Sequence, residues 1–377
     1  MGVLKFIGRT FVSVFTIISH LAIFIAKGQW RFVKSYIHTV NDFTGNGTLG
    51  IDGSAKETHA LVRYPIRAVL WLFVPLVVLF VPIVILAAIG GILIAIDQAT
   101  YPSFPVDDVF TTIDASKDGS TAKGNLMLTA SYHQMEKELN STFGWTPNDI
   151  LGGQFWDNRV NRQLGERLGS IELLSALVQQ ITKFGSTNIE DKRLTNVRQG
   201  GFTNDPTYSV INSFPSVESR YWDAINDIKS YQADVAAGKE GDYYNITNAN
   251  IAAILDTIRG KDGKGVLEIP HARLIHIDQE SWSQVDDDFF LAQGAAIVAR
   301  DELVAIRSSY SDKIAERGAL QNLDNAIASL NEAINVHTFV VFRGGINYMM
   351  PNQCAILANL FDTAMSSIDQ VAKALRG

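Results

Sequence analysis

The sequence is poor in the residues on which many activities are built. It holds one cysteine, Cys354, so no disulfide can close within the chain. A domain of a few hundred residues does not need one, because its core is large enough to hold it. Set inside a helical apolar pattern, that thiol reads as a small buried residue rather than a nucleophile. There is no Gly-x-Ser-x-Gly elbow to present a serine. No Gly-Lys-Ser/Thr run opens a helix, which excludes a phosphate-binding loop of that type. Nothing points to a cofactor, and no internal repeat is visible. Positive charge is also in short supply, with 32 Lys and Arg against 39 Asp and Glu and a net charge of −7. That balance argues against nucleic acid as a partner.

What is present is unevenly placed. From Ala68 to Ile96 the chain reads AVLWLFVPLVVLFVPIVILAAIGGILIAI, about 29 residues without a charge, where a bilayer core needs about 20. Pro75 and Pro82 would break a helix in water but are tolerated in a spanning one. Residues 66–97 are therefore expected to form a transmembrane helix. Ala87, Gly91 and Ala95 lie four apart along it, a spacing that lets two such helices approach closely. Before Ala68 there are about 8 Lys and Arg against about 3 acids, and Arg63 and Arg67 flank the stretch directly, whereas Asp97, Asp107 and Asp108 follow it. The positive-inside rule then places the N-terminus in the cytoplasm and residues 98–377 outside it, which in a bacterium means an inner-membrane anchor with a periplasmic domain.

Residues 1–40 carry polar groups at helical spacing: Lys5, Arg9, Ser13, Thr16, His20, Lys27, Arg31 and Lys34. Two readings stay open. One is a basic amphipathic helix on the membrane surface, with Lys5, Arg9, Lys27, Trp30, Arg31 and Lys34 at the headgroups. The other is a short first transmembrane helix. Residues 41–65, with Gly45, Gly47, Gly50 and Gly53, read as a linker.

Beyond residue 98 the pattern is mainly α with a minor β element. A hairpin is predicted within Asp107–Leu128 and a strand at His337–Phe342. Helices are expected at Thr129–Phe143, Asn158–Gly165, Ser170–Phe184, Pro215–Ala236 and Asn248–Arg259, with Gly260 closing the last. Thr146 with Pro147 marks a further helix start. The longest helical signal runs from Phe289 to Ile334, with a break at Gly318. Its second half steps Leu320, Leu323, Ile327, Leu330, Ile334, which suits packing within a bundle. A last helix follows Pro351.

Four features of this region bear on chemistry. His271, His276, Asp278 and Glu280 form the densest metal-capable set, with His271, His276 and Asp278 its candidate ligands, but the five-residue histidine spacing misses the i, i+4 arrangement of helical zinc sites. Asp286 is expected to cap the helix that follows, with Asp287 and Asp288 in its first turn. Glu136 with Glu138 and Glu166 with Glu172 read as solvated faces. The cluster Trp145, Asn148, Asp149, Asp157, Asn158, Asn161, Arg162 and Gln163 concentrates groups that are costly to bury unpaired. It is either a corner held by side-chain hydrogen bonds or the lining of a polar groove.

The segments GWTPND, DNRVNRQLG and VDDDFFLAQG resemble an uncharacterised bacterial family, a domain of unknown function in membrane-anchored proteins of Gram-negative bacteria. The resemblance runs from about Ile66 onward. It implies location and architecture but no catalytic residues. Three functional readings are compatible with all this. The first is a non-enzymatic envelope protein that touches the lipid bilayer and binds an envelope protein partner or a second copy of itself. The second is a cell-wall hydrolase working between Trp145 and Gln163. The third is a periplasmic ligand sensor.

Overall fold

The chain divides into two compact units, Met1–Leu93 and Ile94–Gly377. A computed structural model describes residues 104–110, 119–141, 144–148, 157–182, 190–203, 217–239, 243–275, 282–336, 341 and 352–377, all in the second unit. The expected transmembrane helix, the face Ala87, Gly91 and Ala95, and the membrane-surface residues Lys5 to Lys34 lie outside the described residues. Among the described residues no helix is long and apolar enough to cross a membrane.

The second unit is helical. Its α-helices are α1 (Ser120–Asn140), α2 (Asp157–Gln180), α3 (Lys192–Asn196), α4 (Val217–Ala236), α5 (Asn248–Arg259), α6 (Glu268–Ile275), α7 (Trp282–Glu316), α8 (Leu320–Ile334) and α9 (Gln353–Arg376). Short 3-10 turns stand at Asp108–Phe110 and Thr146–Asn148, and a π-helical turn at Val197–Gly201 continues α3. Among the described residues there is no strand, only a bridge between Lys261 and Lys264. The hairpin predicted within Asp107–Leu128 is overturned: α1 begins at Ser120 and runs through the second supposed strand. Leu126, Met127 and Leu128 are apolar because that helix is buried, and a short apolar run cannot separate the two cases. Most of the strand expected at His337–Phe342 lies outside the described residues.

The two helices expected on either side of Gly165 are one, α2. Its glycines do not break it, because they are contact points. A Cβ built on Gly165 would lie 2.0 Å from the Leu291 carbonyl oxygen, and one on Gly294 would lie 2.0 Å from the Arg162 carbonyl oxygen. A Cβ on Gly169 would meet the Val298 side chain at 3.1 Å. So α2 and α7 run side by side in the same direction with their backbones touching, and only glycine permits that approach. Carbonyl oxygens pressed against glycine Cα–H groups add weak hydrogen bonds to the packing.

α7 is the hub of the unit, in contact with α1, α2, α5, α6, α8 and α9. Every residue from Asp288 to Ile306 is buried. Gly318, at φ 69°, ends the turn after α7, and α8 folds back onto α7 and α9 with Leu323, Leu330 and Ile334 inward. The expected break at Gly318 and the bundle packing of α8 both hold. α5 and α9 lie antiparallel, joined by Arg259 to Asp369 and Arg376 to Asp256. Along α9, Leu357, Ala364, Ile368, Val371 and Leu375 are buried, and Cys354 is buried among them.

Gly165→Ala or Gly294→Ala should cost at least about 1–3 kcal/mol, the usual range for overpacking, because the obstructing atoms are backbone and cannot rotate away. Gly200→Ala, where a Cβ meets nothing within 4 Å, should be neutral. Urea denaturation of the three variants would check the contrast.

Candidate functional site

The polar cluster around Trp145 closes on itself. The Glu138 carboxylate of α1 is the acceptor at its centre. Arg159 Nη2 donates to it at 2.6 Å, Arg162 Nη2 at 3.1 Å and Gln163 Nε2 at 2.6 Å. Gln163 is used completely: its amino group also donates to the Gly144 carbonyl at 3.0 Å, and its oxygen accepts from the Thr146 amide at 2.9 Å and hydroxyl at 2.7 Å. The Arg162 guanidinium lies 4.9 Å from the centre of the Phe104 ring. Trp145 sits edge-on to Tyr221 at 5.2 Å, and its backbone N–H donates to Glu218. Trp145, Arg162 and Gln163 are each no more than 1% exposed. These side chains face one another in the interior and join α1, the turn at Thr146 and α2.

Of the other residues singled out in that cluster, Asn158 is half-buried on α2 and Asp157 opens the helix in solvent. Asn148 ends the 3-10 turn, and Asp149 lies outside the described residues. His271 stands on α6 with Nε2 3.0 Å from an Asp362 oxygen, while His276 and Asp278 are outside the described residues. Among the described residues no group of three His, Cys, Asp or Glu side chains is arranged to hold a metal.

Sequence reasoning missed where the acids go. Glu138 and Glu166 are not solvated: they are 6% and 0% exposed. Burial pushes the Glu138 carboxyl up, but Arg162 and Arg159 beside it outweigh that and hold it below its ordinary value. Glu166 has the opposite fate. Burial, and then the Glu138 charge, raise it well above the carboxylate range, and its one contact with Arg162 is long, at 3.4 Å. Two glutamates on either side of one arginine are thus shifted in opposite directions by their surroundings.

A second set lies deeper in α7. Arg300, Asp301 and Glu302 are consecutive and all 0% exposed. Arg300 donates to Asp301 Oδ1 from Nε at 3.0 Å and Nη2 at 2.7 Å, and its Nη1 reaches the Phe104 carbonyl. Gln134 of α1 donates to Asp301 Oδ2. Among the described residues Glu302 has no hydrogen-bond partner on either oxygen. Burial, then the Asp301 charge, raise it well above the carboxylate range. The readable signal was the Arg-Asp-Glu run inside an otherwise apolar helical stretch, where charge is expensive.

The third set is at the N-terminal ends of α2 and α7. Asp286 does not cap α7, which begins four residues earlier at Trp282. Asp286 and Asp287 sit instead in its second turn, facing Asp157. Asn161 Nδ2 donates to Asp287 Oδ1 at 2.6 Å and to Asp157 Oδ1 at 3.2 Å. Burial and then the Asp157 charge push both Asp286 and Asp287 up to about 6. Asp288 is paired with Arg273 at 3.1 Å. Ser120 and Lys123 have the Ser-x-x-Lys spacing of some acyl-transfer enzymes. Both stand in the first turn of α1, and no hydrogen bond joins the hydroxyl to the ammonium, so the nucleophile–base contact of such a pair is missing.

The buried acids make a signed prediction. A carboxyl raised by folding supports the native state below its unfolded value and withdraws that support as pH rises toward its folded value. Glu302 should therefore make the protein lose stability above about pH 4.3, by up to about 1.4 kcal/mol per pH unit. Glu302→Gln removes that proton and should flatten the profile. Thermal denaturation from pH 5 to 8 would show the wild type falling more steeply than the variant.

No curated protein and no solved structure matches the chain. One family model does, and it contains VDDDFFLAQG, whereas GWTPND and DNRVNRQLG precede it. From the first residue of α6 to the penultimate position of the chain, residues 268–376 match the model of the family described as an uncharacterised protein conserved in bacteria, DUF2333.

Proposed function

We propose that this is a non-enzymatic protein of the bacterial envelope, anchored in the inner membrane, with a helical periplasmic domain that binds a partner. One observation carries the reading: an uncharged apolar stretch long enough to span a bilayer leads directly into a large helical unit. The asymmetry of Lys and Arg about that stretch supports the N-terminus as cytoplasmic. The partner is an envelope protein or a second copy of the chain, alongside the lipid itself. The non-enzymatic part draws support from the interior. The side chains best suited to catalysis near Trp145 are spent on one another, as Gln163 shows by using its whole amide within the fold. A bacterial family without a described activity is consistent with this but does not add a role.

Two measurements test the reading. A reporter active only in the cytoplasm should work when fused near Ser54, and a periplasmic one when fused after Ile189; the reverse pattern overturns the orientation. Crosslinking in cells followed by detergent extraction should recover the chain with a stoichiometric envelope partner or as a homo-oligomer. Recovery as a monomer alone would overturn the binding role.

A further inference from the structure

Residues 104–110 form a short strap with the spacing Phe-x-x-Asp-x-x-Phe, laid against α1, α7 and α8. A different group of side chains holds each part of it. The Phe104 carbonyl accepts from Arg300 Nη1, and the Arg162 guanidinium lies 4.9 Å from the centre of the Phe104 ring. Asp107 Oδ2 lies 3.0 Å from His133 Nε2 on α1. The Phe110 carbonyl accepts from the Ser308 hydroxyl of α7, and the Phe110 ring stands edge-on to His133 at 5.1 Å. Pro105 biases Phe104 toward extended backbone, which suits a segment read along its length.

Two features make the strap separable from the helices beneath it. Phe110 packs with Leu126, Ala130, Val304 and Ala305 in an apolar cluster apart from the main core, with Val106 and Ile327 at its edge. Phe104, at the other end, reaches the main core. The cations that hold the strap also hold acids of their own. Arg300 donates to Asp301 through Nε at 3.0 Å and Nη2 at 2.7 Å, and its Nη1 reaches Asn331 of α8 at 3.3 Å. Arg162 keeps Glu138 at 3.1 Å. Removing the strap therefore leaves both arginines paired, whereas a stranded buried charge would make its release very costly.

We propose that the groove between α1, α7 and α8 is a peptide-binding site, occupied in cis by residues 104–110, which act as a latch that comes off as a unit while the helical core stays folded. Its ligand is an extended segment with two aromatic side chains and an acid midway between them, and the chain itself supplies that segment. Closed, the latch leaves a tether from Ile96 to Phe104 of at most about 28 Å; open, the tether runs from Ile96 to Ser120 and reaches about 84 Å. The latch thus sets how far the helices can travel from the apolar stretch. It works in the same way whether or not that stretch lies in a membrane.

Cysteine labelling of the full chain in detergent micelles tests the latch. Ala130→Cys places a thiol in the Phe110 cluster, and Cys354 in the main core is the internal reference. Each rate of reaction with a small maleimide is divided by the rate of the same thiol in the urea-unfolded chain. The introduced thiol should then react at least tenfold faster than Cys354, because the latch opens more often than the core. Equal rates would overturn the latch, since the groove would then open only with the whole fold. Adding Phe110→Ala should raise the rate in the groove about tenfold further and leave Cys354 unchanged. A synthetic peptide of residues 102–112 at millimolar concentration should slow it again, and the same peptide carrying Phe110→Ala should not. A native-sequence peptide without effect would overturn the binding site. Ala305→Cys, on the α7 wall of the same cluster, serves if Ala130→Cys does not fold.

Discussion

The contact between the backbones of α2 and α7 is the constraint on which the rest depends. It exists because Gly165 and Gly294 each stand where the other helix places a carbonyl oxygen. At that separation the helices exclude everything between them, and α7 can be enclosed by other helices on its remaining sides. Ala292, Ala295, Ala296 and Ala299 continue the small-residue character of this hub and are fully buried. Close packing of this kind transmits strain, because there is no void into which a displaced group can relax.

Enclosing α7 sets the terms for its polar side chains. A helix buried all round is ordinarily apolar all round, yet this one carries Asp288, Gln293, Arg300, Asp301 and Glu302 inside. Most are satisfied by groups from elsewhere in the chain. Gln293 donates to the carbonyls of Ala333, Ile334 and Val336, which ties the end of α8 to the hub. Arg300 anchors the Phe104 carbonyl, and Asp301 takes its second partner from α1. Glu302 and one oxygen of Glu166 find no partner among the described residues. In a low-dielectric interior such a carboxyl keeps its proton rather than its charge. The interior is thus divided into ion pairs around Glu138 and Arg300 and acids raised well above the carboxylate range at Glu166 and Glu302.

Much of the helical outline was legible without coordinates. α5 begins and ends where Thr247 and Gly260 place it: the Thr247 hydroxyl accepts from the Asn250 amide, and Gly260 takes a positive φ. α4 and α9 follow their apolar spacing, and the break at Gly318 was marked by the glycine itself. These are local matters, settled by capping, punctuation and period over a turn or two. The errors have an equally local origin. Gly165 and Gly169 look like helix breakers until a second backbone is placed against them. Asp286, Asp287 and Asp288 look like a cap because the chain offers no stronger sign that α7 starts at Trp282.

The amino-acid order by itself determined that the C-terminal unit is built of amphipathic helices and that an uncharged stretch long enough for a bilayer precedes it, since period and length need no partner. Which charges lie inside was decided by the tertiary structure alone. Glu138 meets Arg162 across 24 positions, Asn161 meets Asp287 across 126, and Arg300 meets Phe104 across 196. A carboxylate on the face of an isolated helix looks the same whether it will be solvated, paired or kept neutral. Its state depends on dielectric and on charges brought by distant segments, and those exist only once the chain has folded.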